Sequence, residues 1–231
     1  GPGDPIQSYL DMAKIIEIAN RSQAEAVHPG YGFLAENPEF VEMCEKHGVT
    51  FIGPPSESMY QVKPKHRARD LMRVLNIPVV PGYDKILTDS TSGKLAQIEE
   101  LTESIGYPLI IKPSGGGGGI GMTVVRTREE LQKTIISVEE RGRKLFGVSS
   151  CYIEKLIPNI KHIEFQLLAD KYGNVIHLGE RDCSIQRRFQ KLIEEAPCHI
   201  LPSHLRIRMA AAALAIAVAT NYVNALTEEF F

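Results

Sequence analysis

Lys112 is followed by Pro113, Ser114 and five consecutive glycines, Gly115 to Gly119, and then by Ile120 and Gly121. Such a run is costly in backbone entropy, so a folded chain keeps it where nothing larger serves. Glycines let successive N–H groups converge on an anion and let the backbone approach phosphates closely. A lysine at the end of the preceding apolar strand adds a point charge. This combination is phosphate chemistry. A flexible linker is the alternative, but apolar stretches flank the loop tightly on both sides. Ile110 and Lys112 share the strand face opposite Leu109 and Ile111, so the ammonium emerges from an apolar surface. No acidic residue stands near it in the sequence, and its removal is expected to leave stability nearly unchanged.

The residues after the run exclude two familiar phosphate loops. Gly116, Gly118 and Gly121 satisfy a G-x-G-x-x-G pattern, but a dinucleotide fold needs a helix next, and Met122 to Arg126 reads as a strand. A Walker loop ends in Gly-Lys-Ser/Thr, which is absent.

The elements that must carry this loop can be read from periodicity. Met12, Ile15, Ile16 and Ala19 mark a helix, Ala24 to His28 a short strand, and Asn37-Pro38 the start of a helix whose Phe40, Val41 and Cys44 face inward. Val49 to Ile52 completes a βαβ unit. Pro64 to Leu75 reads as a helix and Asp84 to Lys94 as a polar linker. A compact module comes next: helix Leu95 to Ile105, strand Leu109 to Lys112, the loop, strand Met122 to Arg126, helix Glu129 to Lys144, strand Cys151 to Glu154. From residue 161 the pattern is antiparallel. Ile163, Phe165 and Leu167 alternate with His162, Glu164 and Gln166. Asp170 to Asn174 turns the chain, Val175 to Leu178 returns it, and Asp182, Ser184 and Gln186 line one face of a further strand. Ser203 is placed to cap a helix running to about Asn221.

The sequence has 231 residues, 43% hydrophobic and 23% charged, with a formal net charge of −2. That composition is ordinary for a globular protein and points to neither nucleic acid nor a membrane surface. No apolar stretch is long enough to span a bilayer. Cys44, Cys151, Cys183 and Cys198 lie far apart with no CxxC pair, which favours a reduced intracellular compartment over a disulfide framework. Glu194 and Glu195 are adjacent strand residues on opposite faces, so they are read as structural.

A glycine loop between antiparallel strands, with lysine on the first, resembles the ATP-grasp lid. Further signatures make the resemblance specific. His28-Pro29-Gly30-Tyr31-Gly32-Phe33-Leu34, Glu36-Asn37-Pro38, Phe51-Ile52-Gly53-Pro54, Glu154-Lys155-Leu156, Lys161-His162-Ile163-Glu164 and the run from Glu180 to Pro197 are similar to biotin carboxylase, in the family's order.

The resemblance implies an α/β (α+β) ATP-grasp fold in three regions. Residues 1–83 would be part of a pre-ATP-grasp βαβ region, 84–157 a lid subdomain with the glycine loop, and 158–231 the first part of an antiparallel-sheet subdomain. It implies roles at matching positions. Lys65 and Lys112 would contact ATP phosphates, and Gly118 and Gly119 would supply lid N–H groups. Glu154, Lys155, Leu156 and Ile157 would present hydrogen-bonding groups to the adenine edge. His162 and Gln186 would reach the ribose, and catalytic Lys191 would help hold bicarbonate and phosphate. Three positions depart from the family pattern: Lys63-Pro64-Lys65 in place of Gly-Asp-Lys, Ile120 in place of arginine, and Phe189 in place of a hydrogen-bonding residue.

The implied reaction is ATP- and bicarbonate-dependent carboxylation of carrier-bound biotin through carboxyphosphate, with Mg2+ or Mn2+. Implied partners are bicarbonate, a biotin carboxyl carrier protein or domain, a carboxyltransferase and a second copy in a homodimer. The implied location is the cytoplasm, or the mitochondrial matrix in a eukaryote. The family's metal-binding glutamates and an Arg–Gln–Glu cluster are expected beyond Phe231, so the present chain is expected to be inactive alone. Two other readings stand beside this one: another ATP-grasp ligase such as carbamoyl-phosphate synthase, and a non-catalytic nucleotide-binding fragment or pseudoenzyme.

Overall fold

A computed structural model describes residues 3, 7–63, 65–87, 95–114, 121–147, 150–187 and 190–231. The chain divides into two compact units. The first is built from the described residues of 1–71, 164–180 and 199–229, and the second from those of 72–163, 181–198 and 230–231.

In the first unit, α1 (Met12–Arg21) and α2 (Pro38–Lys46) accompany β1 (Ala26–Val27) and β2 (Thr50–Phe51). The strands pair in parallel, Ala26 opposite Thr50, which confirms the βαβ reading. Asn37 caps α2 as its sequence suggests: its side-chain oxygen accepts from the N–H groups of Glu39 (2.9 Å) and Phe40 (3.2 Å). Phe40, Cys44 and Val49 close a core with Ile16, Ala19 and Leu34. The sequence reading missed α3 (Ser56–Val62), a helix short enough to leave little periodicity. Buried Ser58 on it donates to Thr220 O (2.8 Å) and Asn221 O (3.1 Å). The helix α4 (Lys65–Val74) follows as expected.

The second unit holds β3 (Gly82–Leu87), α5 (Leu95–Ile105), β4 (Leu109–Pro113), β5 (Thr123–Val125), α6 (Arg128–Phe146) and β6 (Cys151–Lys155). Their sheet has the order β3-β6-β4-β5, and every pair is antiparallel. Leu109, Ile111, Val125, Leu131, Ile135, Val138 and Ile153 are fully buried beneath it. Gly147 ends α6 in the left-handed conformation (φ 71°), its N–H bonded to Arg143 O at 3.1 Å.

The polar stretch from Asp84 was expected to be a linker. Residues 82–87 instead form β3 against β6, because pairing overrides a composition poor in strand formers; residues 88–94 lie outside the described residues. Gly82 opens β3 where a Cβ would stand 2.7 Å from Ile153 O, so only glycine admits so close an approach.

The remaining elements are β7 (Ile163–Ala169), β8 (Val175–Arg187), β9 (Gln190–Glu195), α7 (Ser203–Ala219) and β10 (Asn224–Phe230), with strand order β10-β7-β8-β9. Asp170 makes the β7–β8 turn: its carboxylate accepts from Tyr172 N (2.8 Å), Asn174 N (3.0 Å) and Asn174 Nδ2 (2.8 Å). The two strands expected between Val175 and Gln186 are one strand of 13 residues, and Gly179 (φ 96°) lies within it without ending it. Ser203 does not cap α7. It is the first helical residue, Pro202 occupies the cap position, and no side chain caps the end. Glu164, expected on a polar face of β7, is 2% exposed, so that face is covered at its start, while Leu168 further along it is 45% exposed. No described helix is long and apolar enough to cross a membrane.

Candidate functional site

Strand β4 turns Leu109 and Ile111 into the core and Ile110 and Lys112 onto the opposite face, as alternation requires. Register then decides Lys112's surroundings. Ile110 faces Glu154 and Lys112 faces Tyr152 across the β4–β6 ladder, so all four side chains share one face. On the diagonal, Lys112 Nζ donates to Glu154 Oε2 at 2.5 Å, with the two side chains 23% and 15% exposed. The expectation that Lys112 lacks an acidic partner is therefore wrong. The carboxylate is 42 residues away in sequence, and only strand register brings it there. Burial first, and then the Glu154 charge, push the Tyr152 phenol above its ordinary pKa.

At the mouth of the glycine loop, Ser114 N–H donates to Ser150 O at 2.9 Å and the two serine hydroxyls hydrogen-bond each other, fixing the point where β4 ends. Gly118, Gly119 and Ile120 lie outside the described residues.

The segment after β6 is pinned by both backbone and side chain. Lys155 N–H donates to Pro81 O (2.8 Å) and Leu156 N–H to Pro108 O (3.0 Å). Lys155 Nζ donates to Gly106 O and Tyr107 O, both at 2.9 Å, just past the C-terminus of α5. That ammonium is engaged inside the unit. Of the four residues expected at the adenine edge, Glu154 spends its side chain on Lys112, and Lys155 and Leu156 spend their N–H groups on the residues just before β3 and β4. Among the described residues no partner is seen for Ile157 N–H, and its side chain is 39% exposed.

A second group forms where β8 passes His162. Gln186 Nε2 lies 2.5 Å from His162 Nδ1 and 2.9 Å from Cys183 O. Ser184 Oγ accepts from His162 N–H at 3.0 Å and donates to Asp182 Oδ1 at 2.5 Å, while Ser184 N–H donates to the same oxygen at 2.9 Å. Burial alone would raise the Asp182 carboxyl. The Ser184 bonds, with Lys161 and His162 nearby, outweigh it and hold the group below its ordinary value. The His162 ring packs on Phe231 at 4.7 Å. Across the β8–β9 ladder Gln186 faces Lys191, while Arg181 pairs with Glu194 at 3.4 Å, in keeping with a structural role for that glutamate.

The structure thus joins Lys112 with Glu154, and His162 with Gln186 and Lys191, all in the second unit. Lys65 begins α4, but its side chain lies outside the described residues, as does Phe189. Sequence reasoning gave Asp182 and Ser184 a shared face without a role. Their spacing to Gln186 was the available signal. The Lys112–Glu154 pair and the Phe231 packing left no signal in the sequence.

Residues 1–59 match the family described as biotin carboxylase, N-terminal domain, and residues 64–231 match that described as carbamoyl-phosphate synthase L chain, ATP binding domain. The chain is 46% identical over 230 residues to biotin carboxylase 1 of Bacillus subtilis, covering 100% of this chain and 50% of that protein. It is 46% identical over 226 residues to pyruvate carboxylase of the same organism, covering 98% and 19%. Among solved structures, a Campylobacter jejuni biotin carboxylase–β,γ-ATP complex superposes with a TM-score of 0.91 at 45% identity, over 97% of this chain and 49% of that one. The biotin carboxylase domain dimer of Hydrogenobacter thermophilus 2-oxoglutarate carboxylase, in complex with MgADP, ADP and bicarbonate, gives 0.92 at 43%, over 100% and 50%. The chain spans half or less of the length of these curated relatives.

Proposed function

We propose, because this chain belongs to the biotin carboxylase family of ATP-grasp proteins, that it supplies nucleotide-binding residues of an ATP-dependent ligase that carboxylates biotin. The observation that carries the reading is Lys112. It is a strand-held ammonium with Glu154 beside it, at the entrance to the glycine loop and on the same sheet as β6, the strand that leads into the Lys155–Ile157 segment.

In this reading MgATP is the substrate. Lys112, Lys65 and the N–H groups of Gly118 and Gly119 neutralise phosphate oxygens. Ile157 N–H, still available, meets the adenine edge, and His162 with Gln186 meets the ribose. Lys191, one strand over from Gln186, holds bicarbonate near the γ-phosphate. A bicarbonate oxygen attacks phosphorus, the bond to the ADP oxygen breaks, and carboxyphosphate forms. Carbon dioxide released from it is captured by the ureido nitrogen of biotin, whose proton passes to the inorganic phosphate released in the same step. Excluding water protects the labile intermediate.

Carrier-borne biotin, a carboxyltransferase and a second copy of the chain are the partners we propose. The relatives named above support them: one is a pyruvate carboxylase of which this chain matches 19%, and another is a domain dimer. Relatives are also named as mitochondrial and chloroplastic, so we leave the compartment to the parent organism. The three regions 1–83, 84–157 and 158–231 remain our proposed domain boundaries.

A carbamoyl-phosphate synthase is the second reading, because the ATP-binding match carries that name; the match of residues 1–59 favours biotin carboxylase. Two measurements test the proposal. ADP titrated calorimetrically into the 231-residue chain should bind, and Lys112→Met should weaken it roughly ten- to a hundredfold, the size of a charged hydrogen bond. ATP cleavage by the intact parent should require bicarbonate and biotin. Cleavage driven by ammonia or glutamine would favour the second reading, and Lys112→Met binding like the parent chain would remove Lys112 from the site.

A further inference from the structure

The carboxylate of Glu154 occupies one of the three donor directions of the Lys112 ammonium, at 2.5 Å. A phosphate oxygen bound by the same ammonium would take a second direction. Two acceptors on one tetrahedral nitrogen lie about 4–5 Å apart, given ordinary hydrogen-bond lengths. Like charges that close repel. Here water screens them poorly, because the side chains are only 23% and 15% exposed.

Glu154 is also not placed to swing away. It sits in β6 between β4 and β3, opposite Ile110 on one side and Gly82 on the other. Its Cγ lies over Gly82, 3.1 Å from where a Cβ would stand, so the absence of a side chain at Gly82 makes the seat for Glu154. The pair is therefore held by the sheet.

We infer that Glu154 is a built-in rival of the phosphate for Lys112: it keeps the ammonium aimed at the site, and it weakens polyphosphate binding in proportion to the ligand's charge. The inference rests on the nucleotide reading above and adds a sign to it. A carboxylate that only braced the lysine would strengthen binding. One that competes for the lysine opposes it and keeps the site from retaining any stray polyanion.

The test is calorimetric titration of AMP, ADP and ATP into the parent chain, Glu154→Gln and Glu154→Asp, at two salt concentrations, with thermal melts alongside. Glu154→Gln should tighten ADP roughly three- to tenfold, ATP at least as much and AMP little, and the gain should shrink at high salt. Glu154→Asp shortens the reach by one methylene and should shift affinity in the same direction by less. It carries the test if the glutamine variant melts far below the parent. A parent chain that binds no nucleotide overturns the nucleotide reading, and this inference with it. A parent that binds while Glu154→Gln binds ADP equally or more weakly overturns the inference alone. So does an equal gain for AMP and ATP, which would mark a rearranged site rather than a removed charge.

Discussion

Gln186 donates to His162. Its Nε2 stands 2.5 Å from His162 Nδ1 and 2.9 Å from Cys183 O, so both N–H bonds of one amide are spent on acceptors. A donor facing Nδ1 leaves the neutral ring's proton on Nε2. The tautomer of His162 is thus set by a residue 24 positions away, on a different strand.

Replacing Gln186 with alanine removes both donors. The chain should lose about 1–2 kcal/mol of stability, and the ring should gain a population protonated on Nδ1. Nitrogen chemical shifts of the His162 imidazole check this directly. An unchanged tautomer ratio would show that Gln186 does not set it.

Lys112→Met should lower stability by about 1–2 kcal/mol, because it takes the cation from a mostly shielded carboxylate. The double variant Lys112→Met/Glu154→Gln should recover most of that loss, since no carboxylate charge then remains. Denaturant unfolding of the four forms gives the coupling. Additive losses would mean that the 2.5 Å pair contributes nothing to the fold.

Lys155→Met should cost about 1.5–3 kcal/mol, because its ammonium serves Gly106 O and Tyr107 O. Nucleotide affinity should stay within about threefold of the parent. A large affinity loss with an unchanged melting temperature would place that charge on the ligand instead.

Glu228 gives the fold a pH dependence. Burial, and then the neighbouring Glu229 charge, push its carboxyl from an ordinary 4.5 up to about 7. The folded chain then holds this proton more tightly than the unfolded one. The contribution is fully present below pH 4.5 and is lost as pH rises to about 7. Glu228→Gln should therefore gain on the parent in melting temperature as pH rises from 4.5 through about 7. Two parallel melting curves across that range would show that Glu228 is not responsible.

Much of this protein could be read from its residues in order. Periodicity is local, so α1, α2, α5 and α6 were legible, as were β4 to β7 and the Asp170 turn. The glycine run and the strand-end lysine declared phosphate chemistry, because entropy and charge are properties of the residues themselves. The signature runs declared the family. Pairing is not local. Asp84 and Lys85 look like linker residues and become β3 only because β6 lies beside them. The partner of Lys112 depends on which β6 residue stands opposite Ile110, and a slip of one residue would turn Glu154 to the other face. Hydrogen-bond capacity is likewise a property of each side chain, but which acceptor it meets is decided by register. Only the tertiary structure could show that Lys155 spends its charge inside the unit, that Glu154 spends its own on Lys112, and that Gln186 fixes the proton of His162.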